Sequence, residues 1–337
     1  MKTAKNFRLP NFKLQNGQVV PELNLVYQTY GRLNAAKDNV IVYPTWFAGQ
    51  HPDNEWLIGK GKALDPEKYF IIIPNMFGNG LSSSPSNMRG DLRGARFPEI
   101  TIYDNVIAQY RLVTEQFGIS KIKLITGWSL AAMQTFHWAV AFPAMIEKIA
   151  PFGGASHGPA QFKIIYNAVK NALKTDCEWN EGEYKQNPEK GLRAMAQTYC
   201  PWGYSFAFFH EKLYLKDPEI SSVEDFVEKN WEKAFLQLDA NDLLAMLETG
   251  QKGNVGNLAP FKGDHLKALK SIKAQTLIMS GSMDLLFPKE VNEEEAQYIS
   301  GAKMVVVDSK AGHEFGIGFH EQENIFIDQQ LKAFLAK

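Results

Sequence analysis

Three residues far apart in the chain carry the side chains that nucleophilic attack on an ester requires. Ser129 lies in Gly127-Trp128-Ser129-Leu130-Ala131, between an apolar run, Ile122 to Thr126, and a helix-like stretch, Leu130 to Phe142. A G-x-S-x-G segment in a strand-to-helix turn presents its serine above the sheet edge, flanked by small residues because strand and helix approach closely. The fifth position here is Ala131, a departure that remains small. The N–H of Leu130 follows at the start of the helix, where backbone donors and the dipole favour developing negative charge. The competing reading is a serine that only caps the helix, which serine often does. The buried run before it and the partners downstream favour the nucleophile.

A serine hydroxyl needs a base, and the base needs an orienting acid. Behind such an elbow the chain order is serine, acid, histidine. Asp284 follows the apolar run Thr276 to Ser280, and His313 follows Met304 to Val307. Both loops lie beyond the carboxyl ends of strands, where the sites of parallel sheets form. Of the seven histidines only His313 and His320 follow Asp284; His320 begins the last helical stretch and is expected at the surface. His137 falls on the helix after the elbow and reads as a core histidine, while Asp308, five residues before His313, ranks second to Asp284. A further oxyanion donor must come from the loop Tyr43 to Gly49. Pro44 has no N–H, which leaves Thr45 or Trp46.

The elements that must position these residues alternate. Asn11 to Leu14 and Leu23 to Tyr30 read as strands around an Asn16-Gly17 turn. Val40 to Tyr43 and Tyr69 to Ile73 are continuous apolar runs, the mark of strands buried on both faces. A helical stripe covers Thr101 to Phe117, and a strand is expected near Ile146 to Pro151. From about Ser156 to Lys262 no buried strand is legible, only helix-like stretches such as Gln161 to Leu173 and Val223 to Leu236, with many aromatics. The rhythm resumes at Thr276 and closes with a helix from Glu321 to Leu335. The expectation is an α/β fold with a mostly parallel, doubly wound sheet formed by residues 1–155 and 263–337, interrupted by a helical lid over 156–262.

Composition removes other classes. The 337 residues carry 36 basic and 37 acidic side chains, a formal charge of −1, which argues against a nucleic-acid footprint or a polybasic membrane surface. No apolar run approaches the ~20 residues that span a bilayer, and no apolar stretch follows the lysines of Met1 to Pro10 as a signal peptide would require. Two cysteines, Cys177 and Cys200, make neither a disulfide framework nor a zinc site, and a reducing cytoplasm is expected. No metal and no cofactor are expected. The expected partner is a small-molecule acyl ester or thioester, with acetyl-CoA or another acyl donor as substrate.

The chain also resembles the α/β-hydrolase-fold homoserine O-acetyltransferase family. The likeness runs through Gly59-Lys60-Gly61-Lys62-Ala63-Leu64-Asp65, Tyr69-Phe70, and Phe97-Pro98-Glu99-Ile100-Thr101-Ile102-Tyr103-Asp104. It continues in Gly127-Trp128-Ser129 through Met133-Gln134 and Trp138-Ala139, in Asp239-Ala240-Asn241, in Asp284-Leu285-Leu286-Phe287-Pro288, and in Gly312-His313-Glu314. The resemblance implies an α/β-hydrolase fold, a triad of Ser129, Asp284 and His313, and oxyanion donors at Trp46 and Leu130. It also implies a lid that shapes the acceptor site and often builds a homodimer, and an acidic residue after the histidine, here Glu314, that holds an acceptor's amino group.

Departures from the family pattern bear on the acceptor. Trp128, Leu130, Ala131 and Ala132 replace four positions of the family's Gly-Gly-Ser-Met-Gly-Gly elbow. Gln237 and Cys200 stand where the family carries arginines, and an amino-acid carboxylate is best held by a bidentate arginine. The sequence therefore points to a serine acyl-ester enzyme that hydrolyses esters or transfers the acyl group to an acceptor other than homoserine. The alternatives are homoserine O-acetylation from acetyl-CoA and a non-catalytic binding protein. The last would have lost a triad member, and none is lost here.

Overall fold

A computed structural model describes residues 4–337; Met1 to Thr3, at the start of the expected core segment and of the stretch read for a signal peptide, lie outside the described residues. Eight strands form one sheet: β1 (Lys5–Lys13), β2 (Val19–Tyr30), β3 (Val40–Val42), β4 (Phe70–Pro74), β5 (Ile122–Trp128), β6 (Ile146–Phe152), β7 (Gln275–Gly281) and β8 (Lys303–Val307). The spatial order is β1-β2-β4-β3-β5-β6-β7-β8. The pairs β1/β2 and β2/β4 are antiparallel, and from β4 to β8 the strands run parallel.

β3 and β4 are apolar throughout because both faces of the sheet are covered there. Val40 and Val42 of β3 join a cluster with Phe136 and Trp138, whereas Ile41 between them joins Leu331 and Ile327 on the other face. Two helices follow β4 and β5: α1 (Ile102–Arg111), extended by a wider turn over Leu112–Gln116, and α2 (Leu130–Ala141). Thr101 caps α1 by accepting from Asp104 N, and the Asp104 carboxylate accepts from Thr101 N in return.

Between β6 and β7 the described residues contribute no strand to the sheet. The chain there runs through α3 (Ala160–Lys174), α4 (Glu189–Gly203), α5 (Phe206–His210), α6 (Val223–Val227), α7 (Lys233–Leu236), α8 (Ala240–Gln251) and α9 (His265–Leu269). This excursion closes on itself: Val255 N donates to Ser156 O at 3.0 Å and Gly158 N to Gly253 O at 3.0 Å. The fold ends with α10 (Lys289–Gln297) and α11 (Glu321–Leu335). No helix among the described residues is long and apolar enough to cross a membrane.

The N-terminal hairpin is longer than its sequence suggests. β1 begins at Lys5, and Pro10 is tolerated because β1 is an edge strand. Asn11, at φ 47°, breaks the alternation, so Leu9 and Phe12 are both buried although three residues apart.

Candidate active site

The sharp turn after β5 places Ser129 at φ 57° and ψ −123°, a conformation costing about 1–3 kcal/mol for a residue with a side chain. Its neighbours show why the elbow tolerates only small residues. A Cβ on Gly127 would lie 2.4 Å from the Cβ of Ala131, and one on Gly154 would lie 2.6 Å from Ser129 O. Alanine fits at 131 because the residue opposite is glycine.

Ser129, His313 and Asp284 form one hydrogen-bonded chain. His313 Nε2 lies 2.9 Å from Ser129 Oγ, and His313 Nδ1 lies 2.8 Å from Asp284 Oδ2. The other carboxylate oxygen, Oδ1, accepts from Leu286 N at 2.8 Å and Phe287 N at 2.9 Å. All three side chains are buried. Burial disfavours a charged His313 ring, but Asp284, by charge and by hydrogen bond, and then Glu314 outweigh it and hold the pKa above the ordinary histidine value. Asp308 instead accepts from Ser282 Oγ at 3.2 Å. His137 is buried with its Nδ1 2.8 Å from Met133 O, and burial depresses its pKa to about 4. His320, expected at the surface, is half-buried with an unpartnered Nε2; its ring lies 6.4 Å from that of Tyr204. The excursion between β6 and β7 folds over the start of α11, which sequence position alone does not reveal.

Backbone donors flank the serine. Thr45 N is committed to Pro74 O at 3.1 Å. The N–H groups of Trp46 and Leu130 have no hydrogen-bond partner among the described residues, and Leu130 opens α2, whose first N–H groups lack intrahelical acceptors. Gln134 Nε2 donates to Thr45 O at 2.9 Å and to Leu130 O at 3.3 Å. Its Oε1 accepts from Gln109 Nε2 at 2.6 Å, and Gln109 Oε1 accepts from Trp138 Nε1 at 2.8 Å. Sequence reading gave Gln134 no role; its (i, i+4) position behind Leu130 was the available signal.

Trp128, the bulky departure in the elbow, is built into the histidine loop. Its Nε1 donates to His313 O at 3.1 Å, and its ring stacks on the imidazole with centroids 4.8 Å apart. Trp46 meets the same ring edge-on at 4.7 Å. Space for it comes from Gly153 and Gly316, whose Cβ atoms would lie 2.7 and 2.3 Å from the indole.

The aromatics of the helical excursion fall into two groups. Tyr204 and Phe208 stack on one another at 4.0 Å within a separate cluster containing Cys200, Ile220 and Phe226. Phe47 packs instead against Tyr199 and Tyr166, and Phe287 lies between Phe162 and the His313 ring. The end of α4 sits directly on the histidine loop: a Cβ on Gly312 would meet Ser205 N at 2.5 Å, and Ser205 Oγ donates to Lys310 O at 2.6 Å.

Glu314 is buried beside this contact, within 3.0 Å of where a Cβ on Gly203 would stand. Burial pushes its pKa up to about 7, opposed by His313 and assisted by Asp284. The arginine positions of the resemblance give no cation: Gln237 is exposed and Cys200 is buried. Arg193 pairs with Glu232 and Lys170 with Glu248, so these two cations already have carboxylate partners.

Fold and site together define an α/β hydrolase. Residues 40–318 match the alpha/beta hydrolase fold family, and the chain belongs to that family. Within it the chain groups with esterases and homoserine O-acetyltransferases and is an enzyme of acyl-ester chemistry. It is 35% identical over 327 residues to the ethyl acetate hydrolase of Pseudomonas veronii, covering 96% of this chain and 92% of that one. It is 33% identical over 319 residues to the homoserine O-acetyltransferase of Chlorobaculum parvum, covering 90% and 87%. The solved acetyl esterase MekB superposes with a TM-score of 0.96 at 33% identity, over 100% of this chain and 97% of the other.

Proposed function

We propose that the protein is a serine esterase acting on small acetate esters through an acyl-enzyme on Ser129. The carrying observation is the continuous Ser129–His313–Asp284 chain beside two free backbone N–H groups. Ser129 Oγ attacks the ester carbonyl while His313 Nε2 takes its proton, and Asp284 holds Nδ1–H so that Nε2 faces the serine. The tetrahedral oxyanion is received by the N–H groups of Trp46 and Leu130, each contributing about 2.7–4 kcal/mol. His313 then protonates the leaving alcohol, the ester bond breaks, and water activated by the same imidazole releases acetate.

Residues 156–262 act as the lid. Its aromatic residues Tyr166 and Tyr199, with Phe47 from the core, favour a small apolar acyl group over a charged one. The names of the ethyl acetate hydrolase and the acetyl esterase support acetate as that group. The commitment of Arg193 and Lys170 to carboxylates disfavours an amino-acid acceptor, because a buried carboxylate without a partner is strongly destabilised. Acetyl transfer to homoserine is the second reading, favoured by Glu314, which is available to hold an amino group.

Hydrolysis of ethyl acetate and p-nitrophenyl acetate, with and without homoserine, separates the readings. Acetate release by the wild type and not by Ser129→Ala, with homoserine without effect on product, is the expected result. O-acetylhomoserine as the main product would replace this reading with the second.

A further inference from the structure

At the base of the helical excursion, three side chains from separate elements converge. His157 stands in the loop after β6, His265 opens α9, and Glu295 lies on α10. One ligand atom from each falls within 4.8 Å of the other two. The rings of His157 and His265 are 3.8 Å apart at an interplanar angle of 27°.

Glu295 is held as metal-ligating carboxylates are, by hydrogen bonds that fix its orientation. It is 1% exposed. Its Oε1 accepts from Ser156 N at 2.9 Å and Ser156 Oγ at 2.6 Å and lies 3.2 Å from His157 Nδ1. Its Oε2 accepts from Asn292 Nδ2 at 3.3 Å, and the same nitrogen donates to Gly154 O at 3.0 Å. The other end of that amide, Asn292 Oδ1, is buried without a hydrogen-bond partner. A buried unpaired carbonyl oxygen is unfavourable unless a donor or a positive charge reaches it.

We infer that His157, His265 and Glu295 form a binding site for a divalent cation of the zinc class, which would pin both ends of the lid to α10. Two imidazoles and a carboxylate are a ligand set that zinc accepts, with a fourth position left for water. Tetrahedral coordination at about 2.0–2.1 Å sets ligand atoms about 3.4 Å apart, a spacing His157 Nδ1 and Glu295 Oε1 already meet at 3.2 Å, so His265 must close in. Rotation of the His265 ring supplies the adjustment, since that ring is half-buried and makes no hydrogen bond among the described residues. The site uses none of the proposed catalytic side chains and does not depend on the proposed substrate.

The test is zinc and cobalt(II) titration of chelator-treated, dialysed full-length protein, followed by calorimetry, melting temperature and the visible cobalt spectrum. Wild type should take up one equivalent of zinc, melt at a higher temperature with it, and show the strong visible bands of tetrahedral cobalt. His265→Ala removes a half-buried ring and should weaken binding at least about tenfold while abolishing those bands. Glu295→Gln should do the same, and His265→Ala keeps the test decisive if the buried substitution impairs folding. Identical uptake and spectra in wild type and His265→Ala, or no stoichiometric uptake by the wild type, would overturn the inference.

Discussion

Gln134 donates to the carbonyl of Thr45, and that carbonyl belongs to the same peptide unit as the N–H of Trp46. A side chain on the nucleophile's own helix thus orients the peptide assigned to receive the oxyanion. Gln134→Leu should lower kcat about 10- to 100-fold with little change in KM, the loss typical of a donor misplaced by about 1 Å. Steady-state kinetics on p-nitrophenyl acetate check this; a rise in KM at constant kcat would assign Gln134 to ground-state binding.

Ser129→Ala and His313→Ala should each remove nearly all turnover, by about 10⁶-fold, because the members act as a unit. Asp284→Asn should cost about 10⁴-fold by favouring the wrong imidazole tautomer. Fluorophosphonate labelling should disappear in Ser129→Ala; labelling that persists there would move the nucleophile elsewhere.

The acid limb of the pH–rate profile should report His313, which must be neutral to act as base. Its pKa is held above the ordinary value by Asp284 and Glu314, so kcat/KM rises with pH as the ring loses its proton. Burial pushes the Glu314 pKa up to about 7, and interacting groups titrate as a pair. Glu314→Gln removes a negative charge that favours the imidazolium. The limb should therefore move to lower pH and narrow to a single-proton titration. A limb unchanged in position and width would mean that Glu314 does not act on His313.

Gly316→Ala should destabilise the fold by about 1–3 kcal/mol, since its Cβ would stand 2.3 Å from the Trp128 indole. Adding Trp128→Gly should relieve that clash, so the double variant should cost less than the sum of the single changes. Urea denaturation of the four proteins measures the coupling, and strict additivity would contradict the packing described.

Acetyl transfer from acetyl-CoA to homoserine should stay well below ordinary enzymatic efficiency, about 10⁴ M⁻¹s⁻¹ in kcat/KM. A value at or above it would show that the acceptor carboxylate is held by groups other than Arg193 and Lys170.

Ser129, His313 and Asp284 were legible because each follows an apolar run that reads as a strand, although β5 and β7 are buried on both faces while β8 is a half-exposed edge strand. Chain order then selected Asp284 over Asp308. The oxyanion loop stayed open between Thr45 and Trp46 because the choice turns on one pairing, Thr45 N to Pro74 O, between segments about thirty residues apart. The aromatics beside the site were hidden for a related reason. Tyr166 and Tyr199 reach Phe47 only through the packing of α3 on α4 and of both on the core, whereas Tyr204 and Phe208 fold among themselves. The His157–His265–Glu295 cluster joins His157 to two residues more than a hundred positions further on, and no local spacing announces it.

The closed base of the helical excursion also bears on how the chain finds its fold. Phe152 on β6 pairs with Met279 on β7, a contact of long sequence separation that slows folding when it must form unaided. If the bridges Ser156–Val255 and Gly158–Gly253 form first, most of the intervening chain is bypassed, leaving a loop about a quarter as long. Two halvings of loop length lower the closure entropy by about 1 kcal/mol. The excursion would then fold as a side branch, and the sheet could assemble past it almost as though the two strands were joined by an ordinary crossover.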